Sequence, residues 1–173
     1  EALELAESGL RNSKYEAHKT RFFSQKVELL LALDKDATAG DLVINTWKSE
    51  PQLARAVFGW VHNYYQQKNN QEAAQAWCKR LLALGTALPE ELRHQVLNWL
   101  LNSAFARADL NAVKSCIDDI IRLTPPGVAV SLLQDTLSGQ ISAGQHALVT
   151  PLIAYLDQKT PGDPAYRQLT ALL

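Results

Sequence analysis

Apolar residues recur three and four positions apart along most of this chain, and the strict alternation of a half-buried strand is almost absent. The pattern predicts helices throughout. Three less regular ones come first, over residues 2 to 11, 14 to 34 and 41 to 49. Ser49, followed by Glu50 and Pro51, reads as an N-cap with an early proline and opens a helix to about Lys68. Asn70 caps the next, which stops at Gly85, a residue suited to the left-handed helix end. Pro89, with Glu90 and Glu91 in the first turn, opens a helix to about Arg107. Asp109 opens another, broken by Pro125 and Pro126. Gly127 to Gln140 and Gln145 to Gln158 follow, and Asp163 with Pro164 starts a last helix.

Four of these segments end alike: "LLLALDKD" at 29 to 36, "RLLALG" at 80 to 85, "DIIRLTPP" at 119 to 126 and "IAYLDQKTPG" at 153 to 162. Each is an apolar helix end followed by a breaker. The stops at Gly85, Pro125 and Pro161 lie 40 and 36 residues apart, the length of a two-helix repeat. The first unit offers Val57, Trp60, Val61 and Tyr64, then Ala73 and Trp77, then Gly85. The second offers Leu97, Leu100, Leu101 and Ala104, then Val113 and Ile117, then Pro125. The third offers Leu133, Thr136, Leu137 and Gln140, then Val149 and Ile153, then Pro161. In this spacing the chain resembles the tetratricopeptide repeat family. Large residues stand where the family prefers small ones, at Val61, Leu101, Leu137, Val113 and Val149. Pro151 falls inside the second helix of the third pair, where it is expected to kink that helix or delay its start.

The resemblance implies an all-α fold, a right-handed α-α superhelix: a solenoid of antiparallel helix pairs over residues 51 to 173. The pairs fall at about 51–85, 89–125 and 127–161, with the start of a further helix at 164–173, and residues 1–50 form an irregular helical cap. Trp60 is expected at an inter-helix core position. In such a stack the first helix of each pair lines a concave groove. The resemblance places Arg55, Phe58, His62 and Tyr65 there from the first unit, Asn98, Trp99, Asn102 and Phe105 from the second, and Gln134, Asp135 and Ser138 from the third. Aromatics with amides suit an extended or helical peptide. They equally suit a glycan, whose sugar faces stack on rings while its hydroxyls meet Asn and Gln. The family's carboxylate-clamping groove sets lysines beside asparagines; here Arg55 is the one cation at the corresponding positions, so that recognition is not expected.

Composition narrows the chemistry. Of 173 residues, 47% are hydrophobic and 20% charged, as in folded soluble domains, and the formal charge of −1 offers no field to gather nucleic acid. Basic and aromatic residues do mingle from Arg11 to Lys26, but Glu16 and Glu28 interrupt them, and Phe22 and Phe23 fit a core stripe with Val27, Leu30 and Leu31. The longest apolar run, "VELLLAL", is too short to span a bilayer. The chain starts at Glu1 and holds no Met, which suggests a piece of a longer protein.

No metal-binding His or Cys spacing occurs, and no nucleophile elbow, phosphate loop or dinucleotide fingerprint. His94 behind Glu90 and Glu91 reads as an exposed charge contact, and Asp118 beside Asp119 as a solvated face. No cofactor, metal or catalytic residue is expected. Cys78 and Cys116 are expected to be free thiols flanking the more buried Trp77 and Ile117, which favours a reducing, cytoplasmic setting. The expected function is a non-catalytic scaffold that binds a protein or peptide partner through its groove. The alternatives are a polysaccharide-binding repeat region of a bacterial exopolysaccharide secretion protein, which would be periplasmic, and the effector-binding repeats of a transcription regulator.

Overall fold

A computed structural model of the chain describes residues 1–172; Leu173, the end of the expected last helix, lies outside them. Those residues are all-helical, without strands. The helices are α1 (Ala2–Asn12), α2 (Glu16–Ala32), α3 (Asp36–Ser49), α4 (Pro51–Ala56), α5 (Trp60–Gln67) and α6 (Gln71–Leu82), then α7 (Glu90–Ala106), α8 (Leu110–Leu123), α9 (Pro126–Ser142), α10 (His146–Lys159) and α11 (Pro164–Leu172). The chain divides into two compact units, Glu1–Pro89 and Glu90–Leu173. The boundary lies at Pro89 rather than at residue 50, because α2 and α3 pack on α4 and α5.

The same turn joins the helices of four hairpins, α2–α3, α5–α6, α7–α8 and α9–α10. Asp34, Asn69, Ala108 and Gly144 all take positive φ, at 53°, 53°, 53° and 80°. In each case the amide of that residue bonds three residues back, and the next amide bonds five back: Asn69 to Gln66 and Asn70 to Tyr65, for example. That is the Schellman stop, which satisfies the last carbonyls of a helix while turning the chain around. The next helix begins two residues after the left-handed residue, at Asp36, Gln71, Leu110 and His146. Side-chain caps support two of these starts: Asn70 accepts from the Ala73 amide at 3.1 Å and Asp109 from the Ala112 amide at 3.0 Å. The N-terminal segment, expected to be irregular, therefore contains the same hairpin (α2–α3) as the rest.

Stacking within each unit follows one scheme. In the first, α2 meets α5, and α3 meets both α5 and α6. In the second, α7 meets α9, and α8 meets both α9 and α10, with α11 added against α9 and α10. One hairpin cannot bury its apolar stripe alone, so the next one shares its core. Phe23, Val27, Val43, Trp47, Val61, Trp77 and Leu81 fill the first core. Leu97, Leu101, Ile117, Ile120, Leu133, Leu137, Leu152 and Leu156 fill the second.

Three expectations fail here for identifiable reasons. The helix expected from 51 to 68 is two helices. Val57, Phe58 and Trp60 bond only three residues back, a tight turn that swings Val57 and Phe58 into the core, where Phe58 sets its ring edge-on to Trp47 at 6.3 Å. Ser49 is the last residue of α3 rather than a cap, and Glu50 precedes Pro51 without a side-chain cap bond. Of the two effects expected of Pro151, the delayed start does not occur: α10 starts at His146 and runs through Pro151 to Lys159.

Candidate functional site

In the second unit α7 and α9 lie side by side and leave a groove of about 770 Å³. From α7 come His94, Gln95, Asn98 and Asn102; from α9 come Ser131, Leu132, Asp135, Thr136 and Gln140, with Gly127 and Gly139 at either end. Gln95, Asn98 and Asn102 stand at i, i+3 and i+7, so they share one face, while Leu97, Leu101 and Ala104 turn the opposite stripe into the core. The polar part of the lining is amide and hydroxyl with the His94 imidazole, Asp135 is its one carboxylate, Val128 and Leu132 are apolar, and no Lys or Arg lines it.

The asparagines orient each other. Asn102 Nδ2 donates to Asn98 Oδ1 at 2.8 Å and to the Asn98 carbonyl at 3.0 Å. From the facing helix, Thr136 Oγ1 donates to the same Asn98 Oδ1 at 3.4 Å. Asn98 Oδ1 is thereby occupied, which leaves Asn98 Nδ2 as donor and Asn102 Oδ1 as acceptor toward the groove. One donor and one acceptor on neighbouring turns match the C=O and N–H of a peptide backbone.

The other residues expected in a groove divide. Asp135 joins Asn98 and Asn102, and Gln134 beside it is half-buried. Trp99 is half-buried and outside the lining. Phe105 is 2% exposed and belongs to the core. In the first unit the register is off by about one residue. Phe58, His62 and Tyr65, expected to face a ligand, are 5%, 6% and 8% exposed, and Arg55 is exposed on α4, away from the groove-lining helix α5. The break at Val57–Gly59 rotates α5, so Trp60, expected in the core, is 36% exposed instead. Nothing in the apolar periodicity signals that break.

The buried polar groups of α5 are satisfied internally. His62 Nδ1 lies 3.6 Å from the Cys78 sulfur, and burial holds its imidazole below the usual histidine range. The Tyr65 hydroxyl donates to Asp36 at 2.9 Å; burial, then that bond, pushes its pKa up to about 12. Neither cysteine forms a disulfide, and Cys78 is as buried as Trp77 rather than merely flanking it. His94 Nε2 lies 3.5 Å from Glu90. Asp118 is no simple solvated face: it accepts the Tyr155 hydroxyl at 2.8 Å and pairs with Lys159 at 3.2 Å. In the basic N-terminal stretch, Lys26 pairs with Glu7, and Lys19 with Glu16 and Glu50.

Among the described residues no group of three His, Cys, Asp or Glu is placed to hold a metal ion, and no helix is long and apolar enough to cross a membrane. Comparison with protein-family models, with curated proteins and with solved structures found no match to this chain.

Proposed function

We propose that the chain is a non-catalytic scaffold of tetratricopeptide-like helix pairs, and that the groove between α7 and α9 holds an extended peptide segment of a protein partner. The repeated Schellman hairpin and the common stacking scheme inside each unit support the repeat reading and, with it, the right-handed superhelix of that family. The Asn98–Asn102 pair carries the peptide reading. Its free donor and acceptor are fixed before any ligand arrives, so little ordering entropy is lost on binding. A neutral main chain also suits a lining with no cation. The groove has no Trp, Tyr or Phe ring for a sugar face to stack on, which favours a peptide over a polysaccharide at this position.

Selection of random extended peptides against the full chain tests this. Enriched peptides are expected to lose roughly tenfold or more in affinity, about 1.4 kcal/mol, with Asn98→Ala or Asn102→Ala. The melting temperature is expected to hold, because both side chains are exposed. Selected peptides that bind both variants as well as the parent would place the working face elsewhere. Binding of neutral glucans with the same sensitivity to Asn98 would favour the polysaccharide reading.

A further inference from the structure

The first unit has its own groove, between α2 and α5, with different chemistry. It encloses about 560 Å³ and is lined by Glu28, Leu31 and Ala32 of α2, by Asp34, by Trp60, Asn63, Tyr64 and Gln67 of α5, and by Lys68. The α2 residues share one helix face at i, i+3 and i+4, and the α5 residues share another at i, i+3, i+4 and i+7. An exposed indole is costly to leave in water, and the chain's other tryptophans are buried or half-buried.

Half of this groove is already complete. The Tyr64 hydroxyl donates to Asp34 at 2.6 Å, and Lys68 Nζ sits 2.9 Å from the same carboxylate and 5.5 Å from the Tyr64 ring centre. Ring, carboxylate and cation thus satisfy one another. The second unit builds the same trio from Tyr155, Asp118 and Lys159, with Lys159 5.2 Å from the ring centre. Trp60 and Glu28 repeat the first two members, a ring and a carboxylate on one groove, without the third. Among the described residues Glu28 has no ion-pair or hydrogen-bond partner, and no cation sits over Trp60. Lys68, the one cation in the lining, is committed to Asp34. Two carboxylates against one ammonium leave the groove with one net negative charge.

We propose that the α2–α5 groove is a second binding site, and that it takes an arginine side chain from a basic peptide segment. The guanidinium lies over the Trp60 indole and on the Glu28 carboxylate, and its aliphatic stem lies along Leu31 and Ala32. A planar guanidinium can stack on a ring and still direct its fork of donors at a carboxylate, which an ammonium does less well. The side-chain amides of Asn63 and Gln67 are unengaged, and their oxygens can accept the remaining N–H groups. Acidic and phosphorylated segments are disfavoured, since no uncommitted cation is present to meet them. This site shares no residue with the α7–α9 groove, and its occupancy does not depend on what that groove binds.

The test follows the Trp60 indole N–H signal in two-dimensional NMR spectra of the full chain, assigned with Trp60→Phe. The probe is a blocked nonapeptide with three arginines among glycines and alanines, set against the same peptide with citrulline, which keeps the shape and removes the charge. A saturable shift with the arginine peptide is expected, at least ~10-fold weaker with citrulline and weakened by added salt. Glu28→Gln is expected to cost the arginine peptide ~10-fold and the citrulline peptide nothing, with the melting temperature unchanged because Glu28 is exposed. Equal binding of the two peptides, or full affinity in Glu28→Gln, would overturn the proposal. So would a Trp60 signal unmoved by the arginine peptide up to about 5 mM. A Trp60 signal moved by maltohexaose at lower concentration than by the peptide would make this a saccharide site instead.

Discussion

Trp60 and Trp77 are the same residue type with opposite roles, and exposure decides between them. Trp77 fills the first unit's core, and Gly40 lies so close that a Cβ there would stand 3.3 Å from the ring. Trp77→Ala is therefore expected to cost about 3–5 kcal/mol, and Trp60→Ala less than about 1 kcal/mol, both read from urea unfolding. Ala108 poses a different question. It occupies the left-handed turn position that Gly144 fills in the next hairpin, and an L-residue with a Cβ is strained there. Ala108→Gly should stabilise by roughly 0.5–1 kcal/mol, a gain limited by the extra freedom of glycine in the unfolded chain. His62 links the fold to pH. Burial holds its folded pKa below the usual 6.5, so on acidification the unfolded chain takes up this proton first. The stability tied to His62 is fully present above about pH 6.5 and is lost as pH falls from there through the folded value. Thermal melts between about pH 7.5 and 5.5 should show the parent losing more stability than His62→Phe. Parallel losses would place the acid sensitivity in another group.

The recurrent element is the Schellman-stopped hairpin, and its second helix tolerates one clear fault. Pro151, in the sixth position of α10, has no N–H to offer the Ala147 carbonyl, and its ring crowds that oxygen. The helix continues because Val149, Leu152 and Leu156 are anchored in the core. Pro151→Ala should restore the bond and stabilise by about 1–2 kcal/mol, less than the full cost of a helix-interior proline, because proline also stiffens the unfolded chain. Helix α1 is the opposite case, held by a close approach. A Cβ on Gly9 would stand 2.5 Å from the Phe22 ring of α2. Gly9→Ala would favour helix locally, yet the clash should still cost about 1–3 kcal/mol and raise amide exchange across residues 2 to 12. Unchanged exchange would mean that the Phe22 ring moves aside freely.

At the scale of the molecule, each unit has its own core and its own groove between first helices. The two grooves differ in what they present: amides and hydroxyls in one, a ring and an unpaired carboxylate in the other. Because α7 to α11 share a core among themselves, residues 90–173 expressed alone are expected to give a helical circular dichroism spectrum and a cooperative melt. A fragment without helix would show that its core depends on the first unit.

Helix was legible along the whole chain because a 3.6-residue apolar period and local caps are written in neighbouring residues. Asn70 and Asp109 cap where they were expected to, and Leu97, Leu100, Leu101 and Ala104 point inward as their spacing required. Asn98, Asn102 and Asp135 were expected in a groove from the resemblance, and the apolar period agrees with it, since a face that is not core faces outward. The α5 face was not legible. Val57 and Phe58 leave the helical path, Phe58 to reach Trp47, eleven positions back in another helix, and that turn rotates every side chain after Gly59. Periodicity extrapolates along one helix, whereas a tight turn that interrupts it is decided by which helix lies alongside. The pairing of Tyr64 with Asp34, and the exposure of Trp60 beside Glu28, likewise depend on α2 and α5 lying side by side, a contact between segments some thirty residues apart that no local pattern encodes.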